Sequence, residues 1–156
     1  TAVGEHWEIS LRSLAIQAML AAIKDSGGLR PQALYVGNML AANLSRQAHL
    51  GVLLADFAGM AGIEAETIEA AGASGGAALR QGYLAVASGM VETVLVAGVE
   101  KFTDMLGPDV EAFLATSSDS DFESIQGITP TAQAALLTRR YQHEFKVPAD
   151  GWRDSP

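Results

Sequence analysis

Glu66-Thr-Ile-Glu-Ala-Ala-Gly72-Ala-Ser-Gly-Gly-Ala-Ala-Leu-Arg-Gln-Gly-Tyr-Leu-Ala-Val-Ala-Ser-Gly-Met90 is the stretch on which the reading of this chain turns. Residues 66–71 read as a strand and Gly72–Gly76 as a tight turn. A helix then reaches about Met90, with Leu79, Tyr83, Val86 and Met90 on one stripe. Arg80 is the only charged residue between Ala73 and Val91, so the helix is expected to be buried nearly all round. A strand that turns sharply into a helix places the turn where unpaired amides and the positive end of the helix dipole meet, a setting that stabilises a nucleophile or a developing anion. Ala73, Ser74, Gly75 and Gly76 let the backbone turn tightly and let a ligand come close. Taken alone, such small residues equally serve close packing of strand and helix.

Outward from this stretch, Ser10 reads as the N-cap of a helix carrying Leu11, Leu14, Ala15, Ala18 and Ala22 and ending at Gly27-Gly28. Residues 33–39 read as a short strand and 45–57 as a second helix, with Leu50, Leu53, Leu54 and Phe57 as its apolar face. Residues 93–99 are apolar without alternation, the pattern of a parallel strand covered on both faces. An acidic segment over 109–123 reads as a solvated loop, and Thr129-Pro130 opens a last helix running to Phe145. The alternation of helix and strand calls for a three-layer α-β-α sandwich around a mostly parallel sheet.

Composition narrows the function. The chain has 156 residues, a formal charge of −8 and no cysteine. Its ten Lys and Arg are scattered, which argues against nucleic acid and anionic membranes as partners. No disulfide or thiolate metal site can form, and His6, His49 and His143 lack zinc spacing. No apolar run reaches membrane-spanning length and no signal peptide is visible, so a cytoplasmic protein is the expectation. Thr1–Trp7 and Arg153–Pro156 read as cut ends, and a fragment of a longer protein is expected.

Two chemical readings attach to the turn. Gly72-x-Ser74-x-Gly76 matches a nucleophile elbow, which would make Ser74 a hydrolase nucleophile with Asp104 or Asp109 and then His143 coming after it in order. His143, in the run Arg-Tyr-Gln-His-Glu, reads more plainly as an exposed helix residue, and no His-Gly-Gly-Gly segment precedes the elbow. The second reading is a family one. Glu69-Ala-Ala-Gly72-Ala-Ser-Gly-Gly-Ala-Ala resembles the active-site stretch of thiolases of the sterol-carrier-protein type, where the pattern is Glu-Ala-Ala-Cys-Ala-Ser-Gly-Gly-Ala-Ala. Tyr35–Leu40, His49-Leu50-Gly51, Val94–Lys101 and Arg140-Tyr141-x-His143-Glu144 are similar to the same branch, in collinear order along essentially the whole chain.

The resemblance implies the N-terminal portion of a thiolase-like domain over 1–156, lacking its first strand and its C-terminal half, with 103–156 leading toward a loop region. It implies acyl transfer or cleavage on CoA thioesters, with CoA thioester as substrate and no covalently bound cofactor or metal. Gly72 stands where the family has its nucleophilic cysteine; it keeps a backbone N–H for an oxyanion hole but has nothing to acylate. Ser74 is expected to cap the helix, and Ser74, Gly75, Asn38, Met39 and Glu100 are candidate substrate contacts. Glu100 has tying down a loop as its alternative role, and Met39 and Asn38 have packing. Lys101 and Arg80 are candidates for a CoA phosphate, with solvated or interhelical roles the plainer expectation, and His49 reads as a helix-flank residue. The family's histidines and second cysteine lie in segments absent from these residues. Gly72 therefore reads as natural divergence ahead of engineering, with a Cys-independent retro-aldolase or lyase, or a non-catalytic acyl-CoA-binding subunit, as alternatives to transfer. The resemblance also implies a homodimer or tetramer through 66–71 and a zinc-ribbon/OB-fold partner protein.

Overall fold

A computed structural model describes residues 3–148. The chain divides into two compact units, 1–106 and 107–156. In the first, the elements are α1 (Leu11–Asp25), β1 (Ala33–Gly37), α2 (Ala41–Leu44), α3 (Leu50–Phe57), β2 (Glu64–Ile68), α4 (Ser74–Ala87) and β3 (Val94–Gly98). The sheet order is β2-β1-β3, all parallel, with Ala33 aligned to Glu64 on one side and Val94 on the other, and Gly37 to Ile68 and Gly98. The connections β1→β2 and β2→β3 run in opposite directions along the sheet, so a shared right-handed sense sends their helices to opposite faces.

The packing obeys that rule and gives the three layers expected. On one face Leu34 and Val36 of β1 pack with Leu11, Ala15 and Met19 of α1 and Leu50 and Leu54 of α3. On the other, Ala33 and Tyr35 pack with Ala78 and Ala85 of α4. β1 is buried along its whole length because both faces and both edges are covered. β3 is only half buried and β2 largely exposed, since each is an edge strand of this sheet.

Several sequence expectations are corrected. The second helix starts at Leu50 rather than 45, because Arg46 and His49 take positive φ (51° and 58°) and cannot continue a helix; α2 precedes that loop. His49 is the residue before α3, not a residue on it. The strand expected at 66–71 is 64–68: its ladder ends where Asn38 N–H donates to Ile68 O, and Glu69–Ala71 already belong to the turn. α4 ends at Ala87, with Gly89 at φ 78° after it. That helix is not buried all round. Its buried residues are Ser74, Ala78, Gly82 and Ala85, while Leu79 (63% exposed) and Tyr83 (70%) face away and Met90 (72%) lies past its end. The small residues form the contact face because the helix sits close on the sheet: a Cβ on Gly82 would lie 2.7 Å from Val96 Cγ2.

In the second unit the acidic segment is not simply a loop. Gly107–Leu114 forms a helix, α5, with Asp109 in its first turn, where a carboxylate suits the dipole. α6 (Pro130–Phe145) has the cap read from the sequence, Thr129 Oγ1 accepting from Ala132 N–H at 3.2 Å. His143 is exposed on it.

Two glycines carry the tightest backbone contacts. A Cβ on Gly51 would lie 2.4 Å from Glu66 O, and one on Gly37 2.7 Å from Ser74 O and 2.8 Å from Gly75 Cα. Both obstacles are backbone, so Gly51→Ala and Gly37→Ala are expected to destabilise the first unit by about 2–3 kcal/mol. Gly82→Ala, which meets a side-chain methyl and gains helix propensity, is expected to lose less. Urea midpoints at matched slope check this; a neutral Gly51→Ala contradicts the close approach of α3 to β2. Tyr35 gives a pH test. Burial first, then Glu64, whose carboxylate accepts the phenol O–H at 2.7 Å, raises Tyr35 from 10.0 to about 12. The stability tied to this proton is full below the ordinary value and is lost as pH rises from 10.0 toward about 12. Denaturation across that window is expected to show the decline in the native chain and not in Tyr35→Phe.

Candidate active site

Because the three strands are parallel, their C-terminal ends lie at one edge of the sheet, and Asn38, Met39, Gly72, Ser74, Gly75 and Glu100 all lie in the segments that follow those ends. Asn38, Met39 and Glu100 are joined directly. Asn38 Nδ2 donates to Val99 O (2.7 Å) and Glu100 Oε1 (3.0 Å), and its Oδ1 accepts from Ala41 N–H (2.9 Å). Glu100 Oε2 accepts from the backbone N–H groups of Met39 (3.0 Å) and Leu40 (3.1 Å). These bonds clasp the loop after β1 to the end of β3. A buried asparagine with both ends of its amide satisfied is costly to truncate, since its partners then lose theirs.

The turn before α4 is built by different means. Ala70–Ala73 make one tight turn of 3₁₀ type, Ala73 N–H donating to Ala70 O at 2.9 Å. Ser74 is the first residue of α4, not its cap. Its Oγ donates to Ala71 O (2.7 Å) and accepts from Ala70 N–H (2.9 Å), so the hydroxyl braces the turn behind the helix. The cap position is Ala73, which offers no side-chain acceptor, so no side chain caps the helix start at Ser74, Gly75 and Gly76. Gly37 abuts Ser74 and Gly75 from the end of β1, so the turn is seated on the strand backbone itself.

Gly72 is exposed, has no left-handed φ, and an added Cβ would meet nothing within 4 Å. The backbone therefore does not require glycine here, and a Cβ is accommodated without contact. The residue that strains the turn is Ala71, at φ 48°, where a side chain costs about 1–2 kcal/mol. Glycine stands where it is not needed, next to an alanine where glycine would be easier.

Lys101 is neither solvated nor turned outward: its side chain is buried and paired with Asp104. Arg80 is exposed on α4. Among the described residues no group of three or more His, Asp or Glu is placed to hold a metal ion. Sequence reasoning missed Gly37, Glu69 and Ala71. A glycine ending a buried strand hints at a close approach, but nothing in the residue types marks the positive φ of Ala71 or the bond from its N–H to Glu69.

The geometry makes Gly72→Cys and Gly72→Ala tolerable. Both are expected to fold as well as the native chain or up to about 1 kcal/mol better, by restricting the unfolded backbone. Ala71→Gly, which removes a left-handed strain, is expected not to destabilise. Thermal melts of the three variants check this, and a marked loss at position 72 contradicts an open, unstrained site.

Residues 1–150 match the family model described as the thiolase N-terminal domain. The chain is 44% identical over 147 residues to an acetyl-CoA acetyltransferase of Methanothermobacter thermautotrophicus, covering 93% of this chain and 38% of that protein. It is 41% identical over 147 residues to an acetyl-CoA acetyltransferase of Methanocaldococcus jannaschii, covering 93% and 37%. It thus spans less than two fifths of the length of these relatives. The α-β-α layering, the strand–turn–helix at 64–87 and the match over nearly the whole sequence agree: the chain belongs to the thiolase family, in its N-terminal domain.

Proposed function

We propose that this chain forms the elbow side of a CoA-thioester site of the thiolase type, binding acyl-CoA without becoming acylated. The observation that carries the reading is position 72: a supported turn at the start of a helix without a side-chain cap, with open space for a side chain and none present. Backbone donors and the helix dipole remain available there to polarise a thioester carbonyl. The names of the relatives support acetyl-CoA as the first ligand to test. Ser74, whose hydroxyl is engaged with Ala70 and Ala71, is less suited to be a nucleophile than position 72 itself. Gly75 and Met39 lie just past the same strand ends and are proposed contacts for the ligand; Asn38 and Glu100 hold the loop that carries Met39.

The outer edge of β2 has no strand partner among the described residues, and the strand is largely exposed. This supports assembly with a second copy through 64–68, since an open edge favours pairing. A zinc-ribbon/OB-fold partner rests on the resemblance alone, and a cytoplasmic location on the sequence reading alone. No helix among the described residues is long and apolar enough to cross a membrane.

The test is intact-mass spectrometry after incubation with acetyl-CoA. The native chain is expected to carry no acetyl adduct while binding acetyl-CoA in equilibrium dialysis, and Gly72→Cys is expected to gain one acetyl group on the introduced thiol. An adduct on Ser74 of the native chain favours the hydrolase reading. Failure of Gly72→Cys to acylate, with binding intact, favours a retro-aldolase or a binding subunit; no binding at all removes the acyl-CoA reading.

A further inference from the structure

Two side chains, those of Ser74 and Glu69, fix the peptide groups on either side of Ala71. Ala71 O accepts from Ser74 Oγ at 2.7 Å and from the Ser74 backbone N–H. The peptide is planar and trans, so holding that carbonyl aims the Gly72 N–H in the opposite direction. The preceding peptide, Ala70–Ala71, is held from the other side: Ala71 N–H donates to Glu69 Oε1 at 2.5 Å, and Ala70 O accepts from Ala73 N–H at 2.9 Å. The φ and ψ of Ala71 are the rotations between these two held planes. Its left-handed φ of 48° is a conformation that alanine leaves unless its surroundings enforce it.

We propose that Glu69 is a positioning residue for the elbow. By accepting the Ala71 N–H it keeps residue 71 left-handed, and so sets the direction of the Gly72 N–H, the donor a thioester oxygen would meet. A charged acceptor makes the stronger bond. Its negative charge opposes an anion at the same turn, so the contribution of Glu69 is geometric. An acceptor without charge is then expected to serve.

The inference gains its functional meaning from the acyl-CoA reading of position 72, but its test needs no CoA, so either can fail without the other. Amide hydrogen exchange and amide chemical shifts at Ala71 and Gly72 are measured in the native chain, Glu69→Ala and Glu69→Gln, with the β1 amides as a control for global unfolding. Glu69→Ala is expected to speed exchange at Ala71 by about ten-fold, the factor that 1.4 kcal/mol represents, and to move the Gly72 amide resonance while β1 stays protected. Glu69→Gln, which keeps an acceptor oxygen, is expected to restore both. Unchanged Ala71 exchange in Glu69→Ala overturns the proposal, as does Glu69→Gln behaving like Glu69→Ala.

Discussion

The contact on which the site depends is the seating of the α4 start on the end of β1, backbone against backbone, with Gly37 beneath Ser74 and Gly75. No side chain can be added at Gly37 without displacing the turn, and β1 is the one strand buried on every side. The position of the turn is thereby tied to the best-buried part of the first unit. The same logic recurs at Gly51 over β2 and at Gly82 over β3, where missing Cβ atoms let helices lie close on the sheet. Close approach on both faces seats helices directly on the small parallel sheet, whose outer edges have no strand partner among the described residues.

On that foundation the turn has a division of roles. Ser74 and Glu69 hold peptide groups, Ala71 absorbs the strain, and Gly72 is left unstrained and open. A turn selected only for packing would place its glycine at the strained position. Here the strain is carried by a residue with a side chain, while the neighbour without one has open space where a Cβ would stand. The arrangement suits the proposed reading of position 72 as a seat for a side chain, occupied here by glycine. Membership of the thiolase family gives the pattern its chemical context.

The layer order of the first unit is legible in the sequence because three signals agree: the largely apolar, non-alternating run of 93–99, the Ser10 cap, and the glycine-rich turn between a strand and a long helix. Element ends are less legible. Strand β2 stops at Ile68 because its partner β1 stops at Gly37, a tertiary constraint that the apolar Ala70-Ala71 pair conceals. The orientation of α4 is misleading in the sequence because Leu79, Tyr83 and Met90 suggest a core stripe, whereas the close contact with the sheet selects Ala78, Gly82 and Ala85. Of the candidate site, Gly72 is singled out in the sequence by the family resemblance and Glu100 by its place after a strand. The roles of Glu69 and Ala71 cannot, since they arise from a backbone angle that no residue type announces.

The central claim is that position 72 is an intact nucleophile seat without its side chain. A crystal structure of Gly72→Cys tests it most directly. The account predicts that residues 69–76 superimpose on the native turn, that residue 71 keeps its positive φ, that Ser74 keeps both of its bonds, and that the new side chain enters open space beside the α4 start. A rebuilt turn, with residue 71 relaxed or Ser74 released to admit the side chain, would contradict it.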